Sequence, residues 1–173
     1  MDDSARFFTK SGTFSAKRAG DFIELDFPAV PEEPVPGPAG LSRALGIRPT
    51  YTGKNRFDYL IEVSSEDEVR TMVPDFSSLS KIPMRGVIVT SRASTPGFDF
   101  VSRFFAPSVG INEDPVTGSA HGCLAPYWQK KLKKKYVKSI PSIGAGRCAS
   151  DPAEYARQSN NRRCRGNDLE RIV

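Results

Sequence analysis

The chain has little of what builds metal centres or disulfide frameworks. Its 173 residues include one histidine, His121, and three cysteines, Cys123, Cys148 and Cys164. An odd number of widely spaced thiols argues against a stapled scaffold and fits a reducing compartment. One histidine, with no cysteine or carboxylate set at ligand spacing, gives no zinc site. No run of eighteen apolar residues occurs, so no segment reads as a membrane-spanning helix. The opening residues, Met1 to Arg6, show neither the apolar core of a signal peptide nor an Arg-rich amphipathic pattern. A soluble, cytoplasmic protein is the resulting expectation. Hydrophobic residues make up only 38% of the chain, so part of it is expected to lie outside a packed core.

Charge is unevenly distributed. Residues 1–129 carry 13 Lys/Arg against 16 Asp/Glu, whereas residues 130–173 carry 12 against 4. The net charge of +5 therefore belongs to the C-terminal quarter. A mildly acidic body makes a nucleic-acid groove through it an unfavoured reading. A nucleic-acid contact would have to use the Lys130–Arg171 tail, which has few interleaved aromatic residues, and would show steep salt dependence.

The pattern of elements is mixed. Ser11–Lys17 and Phe22–Phe27 flank a turn at Arg18–Asp21 and read as a hairpin, the second strand alternating with Ile23, Leu25 and Phe27 on one face. Pro28 ends it, and a Pro-rich connector to Pro38 is a stiff, extended spacer. Leu41–Gly46 reads as a short helix and Phe57–Val63 as a strand. Ser65 with Glu68 three residues on is a capping-box-like start for a helix to Met72, stopped by Pro74. Phe76–Ile82 reads as a helical turn, and Gly86–Thr90 and Phe98–Phe105 as strands. Strands, helices, strands and then one long apolar helix predict an α+β fold, a curved and mostly antiparallel sheet around a central helix.

That helix begins in the most informative stretch, Gly110-Ile-Asn-Glu-Asp-Pro-Val-Thr-Gly-Ser-Ala-His-Gly-Cys-Leu-Ala-Pro-Tyr-Trp128. Turn formers and two adjacent carboxylates lead into Thr117, Gly118 and Ser119, which suit a helix start. A loop that becomes a helix there aims free backbone N–H groups at one point and can bind a carboxylate or phosphate without a Lys or Arg. An ordinary N-cap is the plain structural reading of the same residues. Glu113 reads as a turn residue, and His121 is not assigned catalysis. Cys123, Tyr127 and Trp128 read as core. Pro126 either kinks the helix or is tolerated near its end.

The run Glu113-Asp-Pro-Val-Thr-Gly-Ser-Ala-His121 followed by Leu124-Ala-Pro-Tyr-Trp128 resembles the PhzF (phenazine-biosynthesis-like) family of diaminopimelate-epimerase-like fold. A match this long is specific, unlike a lone short motif. It extends over about residues 6–130 and corresponds to the second lobe. The resemblance implies a cofactor-independent isomerase or epimerase that moves a proton on a small carboxylate metabolite, with no metal, nucleotide or pyridoxal. It implies Asp114 as an acid/base partner and Ser119 as a donor to the substrate carboxylate. Gly118, Ser119 and Ala120 would supply substrate-binding groups at the helix mouth. The family's main acid/base glutamate belongs to a first lobe that these residues do not match, so little activity is expected from this chain alone. Association of copies through the inter-lobe face is a further expectation. A non-catalytic small-ligand or protein-interaction module derived from the lobe is the alternative.

The similarity fades after Trp128. Gln129–Lys138 is expected to finish the helix with cations at its C-terminal end. The domain is accordingly placed at residues 1–138 and an atypical, largely disordered tail at 139–173. Arg147–Ala153 can be encoded so that the next frame reads Gly-Val-Leu-Arg-Ile-Gln-Leu, an alternating strand pattern, which makes a frame shift a reading of the tail.

Overall fold

The computed structural model describes residues 4–9, 12–19, 22–115, 117–141, 163–165 and 170–172. It has the expected α+β class, with mixed sheets and one long helix. The expected hairpin forms as β2 (Gly12–Ala19) and β3 (Phe22–Phe27), Ala16 opposite Leu25. Strand β1 (Ser4–Thr9), not foreseen, pairs antiparallel with β2. Phe7, Phe14 and Phe27 stack in succession across these strands, with ring centroids 4.8 and 5.0 Å apart.

The Pro-rich connector contains a two-residue strand, β4 (Glu33–Pro34), followed by α1 (Leu41–Leu45), β5 (Tyr51–Lys54) and β6 (Asp58–Glu62). Helix α2 (Glu66–Thr71) starts as its sequence demands, the Ser65 hydroxyl accepting from Glu68 N–H at 3.1 Å. The Glu68 carboxylate takes the N–H and O–H of Ser64 rather than the N–H of Ser65, a capping box displaced by one residue. Helix α3 (Phe76–Leu79), β7 (Gly86–Arg92) and β8 (Phe100–Ala106) follow close to their predicted places. A 3₁₀ turn at Pro107–Val109 leads into β9 (Ile111–Asp114), so the first part of the informative stretch is a strand, not a loop.

Helix α4 (Gly118–Leu132) ends earlier than expected. Lys133 takes up a left-handed conformation, φ 53°, and its N–H returns to Gln129. Left-handed geometry closes a helix as glycine usually does, and the basic run then leaves the helix. Tyr136–Pro141 forms β10, parallel to β8, so Ser139–Pro141 are sheet residues rather than the beginning of a tail. Strands β11 (Arg163–Arg165) and β12 (Glu170–Ile172) pair with β10 and β3. Arg147–Ala153, on which the frame-shift reading rests, lies outside the described residues.

The larger sheet runs β11-β10-β8-β7-β6-β5-β4, with β9 beside β8. Its pairings are antiparallel except for β6 with β7, β8 with β10. Both faces of its centre are covered, which is why β7 and β8 read as continuous apolar runs. Val87, Val89, Val101 and Phe105 pack with α1–α3, whereas Ile88, Phe100 and Phe104 pack with α4. The Trp128 ring stacks on Phe100, centroids 5.8 Å apart, and its indole N–H donates to Thr90 Oγ1 at 3.0 Å. Burying such side chains contributes roughly 2 kcal/mol or more each.

Pro126 lies in the middle of α4 and has no N–H for the carbonyl of Gly122. That carbonyl accepts instead from Val30 N–H at 2.8 Å. The gap in the helix ladder thereby ties the proline connector to the central helix beneath β3. Cys123 is buried in the same core, as expected.

Candidate active site

β9 delivers Glu113 and Asp114 to the start of α4, and the sheet separates their roles. Glu113 forms a two-pronged ion pair with Arg103 at 2.7 and 2.9 Å. Arg103 is buried and also donates to the carbonyls of Val69 and Met72, at the end of α2. A fork of parallel N–H donors matched to a carboxylate is the strong form of such a pair. Glu113 is therefore structural, as its sequence position implied. Asp114, one residue on, is half-buried and opposes Phe104.

Asp114 lines a cleft of about 10 Å³ with Thr117, Ala120, His121, Ser102 and Phe104. A space of that size holds about one water. Thr117 occupies the N-cap position but makes no side-chain cap. Its hydroxyl is buried with no hydrogen-bond partner among the described residues. The first backbone N–H groups of a helix have no partner within it, so Gly118 and Ser119 present theirs at the mouth. Ala120 N–H returns to Thr117 O at 3.2 Å. Thr117, Gly118 and Ser119 are half-buried, so the mouth is not sealed inside the core.

His121 is fully committed behind this mouth. Its Nδ1–H donates to Thr117 O at 3.0 Å, since a carbonyl can only accept. Its Nε2 lies 3.1 Å from Ser139 Oγ and accepts that hydroxyl proton when the ring is neutral. The histidine locks the N-cap carbonyl to β10 and has the structural role the sequence suggested.

Gly118 and Ser119 face away from the cleft. A Cβ on residue 118 would come within 2.6 Å of the Phe27 ring, so the last ring of the Phe7–Phe14–Phe27 stack rests on the helix start. Ser119 Oγ lies 3.3 Å from Arg85 Nη2. Arg85 in turn grips Asp58 through both carboxylate oxygens, with Nε at 2.8 Å. The structure thus brings Asp114 and Ala120 to one small cleft and places Ser119 beside an arginine on the other side of the mouth.

Sequence reasoning missed Arg85 and Asp58. The sequence points to a mouth that can bind an anion without a cation, yet a guanidinium stands beside it. The available signal was two opposite charges at the edges of apolar strands, Asp58 opening β6 and Arg85 preceding β7. Only the parallel register of Asp58 with Gly86 makes them neighbours.

Farther along α4 lies a second polar cluster. Tyr127 donates to Glu62 at 2.6 Å, and Lys131 pairs with the same carboxylate. Burial and the Glu62 carboxylate push the Tyr127 hydroxyl well above the ordinary phenol range. Burial, with Glu32 beside it, pushes the Tyr51 hydroxyl up to about 12. These phenols stay protonated and act as donors in the packing.

The fold agrees with similarity to known proteins. The family model for phenazine biosynthesis-like protein, PhzC-PhzF, matches residues 22–155. An uncharacterized isomerase of Halalkalibacterium halodurans is 54% identical over 129 residues, 74% of this chain and 49% of that protein. An uncharacterized isomerase of Pseudomonas aeruginosa is 50% identical over 137 residues, 78% of this chain and 52% of that protein. The crystal structure of a phenazine biosynthesis protein of the PhzF family from Enterococcus faecalis superposes with a TM-score of 0.71 at 37% identity. It covers 80% of this chain and 52% of that one. The chain thus spans about half the length of the relatives it matches.

Proposed function

Since this chain belongs to the phenazine biosynthesis-like (PhzC-PhzF) family, we propose that the mouth of α4 is one wall of an isomerase site. The site would move a proton on a small carboxylate substrate without a cofactor. In this reading the N–H groups of Gly118 and Ser119, with the Ser119 hydroxyl, hold the substrate carboxylate, while Ala120, whose own N–H returns to Thr117 O, lines the adjoining cleft. Asp114 holds or relays the proton. The observation that carries the reading is the half-open helix start in the family run, with Asp114 on one side and Ser119 on the other.

Proton transfer needs its acid or base within hydrogen-bond reach of the moving proton. The neighbouring carboxylates Glu113 and Asp58 are each held by an arginine. Helix-end electrostatics also act weakly while the site faces water. The reading therefore assigns the second catalytic group to an opposing wall, and assigns these 173 residues little activity by themselves. A biosynthetic, cytoplasmic role belongs to the same reading.

The test is binding of a small carboxylate. Titration with benzoate, followed through the amide resonances of Gly118 to Ala120, should show a site that Ser119→Ala weakens about tenfold. Equal binding by the parent chain and Ser119→Ala would exclude the helix mouth as the carboxylate site.

A further inference from the structure

We propose that Arg85 is a positioning residue for Ser119, one that turns the serine hydroxyl proton toward the ligand; this rests on the functional reading above. A guanidinium has only donors, so where Arg85 Nη2 meets Ser119 Oγ the oxygen must accept. The hydroxyl proton is then left to point elsewhere. A serine in the first turn of a helix otherwise has competing choices, including bonds to nearby backbone groups. Arg85 biases that choice toward donation outward, which is what holding a substrate carboxylate requires.

The cation is itself held from several sides. Asp58, 1% exposed, takes two of its donors. The N–H groups of Phe57 and Asp58 both donate to Asn55 Oδ1, at 2.7 and 2.8 Å, which fixes the start of β6. The rings of Phe57 and Phe104 lie 4.8 and 5.8 Å from the guanidinium carbon. A Cβ on the adjacent Gly86 would come within 2.4 Å of the Phe104 ring, so the glycine makes room for that ring.

An ion pair needed only for folding would be complete with Asp58. Arg85 instead remains 33% exposed and extends its Nη2 to the first turn of α4. The planar fork allows this double duty, which a lysine ammonium on a flexible stem does not reproduce.

A double-mutant cycle with Ser119→Ala tests the proposal, with benzoate as the probe, benzamide as the uncharged control and the Gly118–Ala120 amide resonances of the full chain as readout. Arg85→Met alone would strand the Asp58 charge, so the neutral pair Arg85→Met with Asp58→Asn is used. Arg85→Lys, which keeps an ion pair with Asp58, is run beside it to preserve the fold. Each Arg85 variant should weaken benzoate binding by up to about tenfold, and that loss should vanish once Ser119 is alanine. Full affinity in the Arg85 variants would overturn the proposal. So would a loss that persists undiminished in the Ser119→Ala background, because Arg85 would then act on the anion or on the fold directly. Failure of Ser119→Ala itself to weaken binding, or no benzoate response at these amides, would remove the functional reading and the proposal with it.

Discussion

The edge of the Phe27 ring stands where residue 118 would carry a side chain: a Cβ there would lie 2.6 Å from Phe27 Cζ. Phe27 cannot simply withdraw, because its other neighbour is Phe14, stacked at 5.0 Å. The glycine at the mouth of α4 is thus the point at which the small sheet docks onto the central helix. Gly118→Ala should overpack this contact and destabilise the protein by about 1–3 kcal/mol. Thermal melts would measure the loss. Trimming the ring with Phe27→Leu in the same chain should recover part of it, and a neutral Gly118→Ala would show that the contact is loose.

Adjacent carboxylates at the end of β9 should respond differently to substitution. Glu113→Ala leaves the buried Arg103 without its anion and should cost about 3 kcal/mol in chemical denaturation. Asp114→Asn keeps the shape of a half-buried side chain and should change stability by less than about 1 kcal/mol. Equal losses from the two substitutions would argue that Asp114 is structural as well.

Glu66 links α2 to the segment after β7. Burial raises its carboxyl, but hydrogen bonds from Thr95, Arg70 and Ser94 outweigh this and hold it down at about 2. A carboxylate lowered from an ordinary 4.5 stabilises the folded protein fully above that value and loses its contribution as pH falls toward 2. Stability should therefore drop between about pH 4.5 and 2, and Glu66→Gln should flatten that part of the profile. Denaturant midpoints against pH would record it, and an unchanged slope in Glu66→Gln would place the acid sensitivity elsewhere.

How far the sequence foretold this molecule depended on distance along the chain. Phe22–Phe27 alternates within six residues, and Ser65 caps α2 within three, so both were legible. The run from Glu113 to Trp128 was legible because its residue types are unusual together. The end of α4 was not, because Lys133 adopts left-handed geometry that sequences normally mark with glycine. Pro126 left open whether it bends or merely interrupts the helix, since the group that takes its orphaned carbonyl, Val30 N–H, lies almost a hundred residues away. The Asp58–Arg85–Ser119 link was hidden for the same reason. Its members meet only once β6 and β7 pair in parallel, and nothing local specifies that register.

The proposed division of labour between this lobe and an opposing wall makes the sharpest prediction about activity. One carboxylate, Asp114, beside a partly open helix start can bind and polarise a substrate, but cannot complete a transfer that needs a donor on one side and an acceptor on the other. Exchange of substrate protons for deuterium on a dihydro-hydroxyanthranilate-type substrate should thus be little above background with this chain alone. Any residual exchange should fall sharply in Asp114→Asn, because Asp58 and Glu113 are bound to Arg85 and Arg103. Turnover at an enzyme-like rate, on the order of 1 per second or faster, would mean that these residues hold both groups and that the second wall is not required.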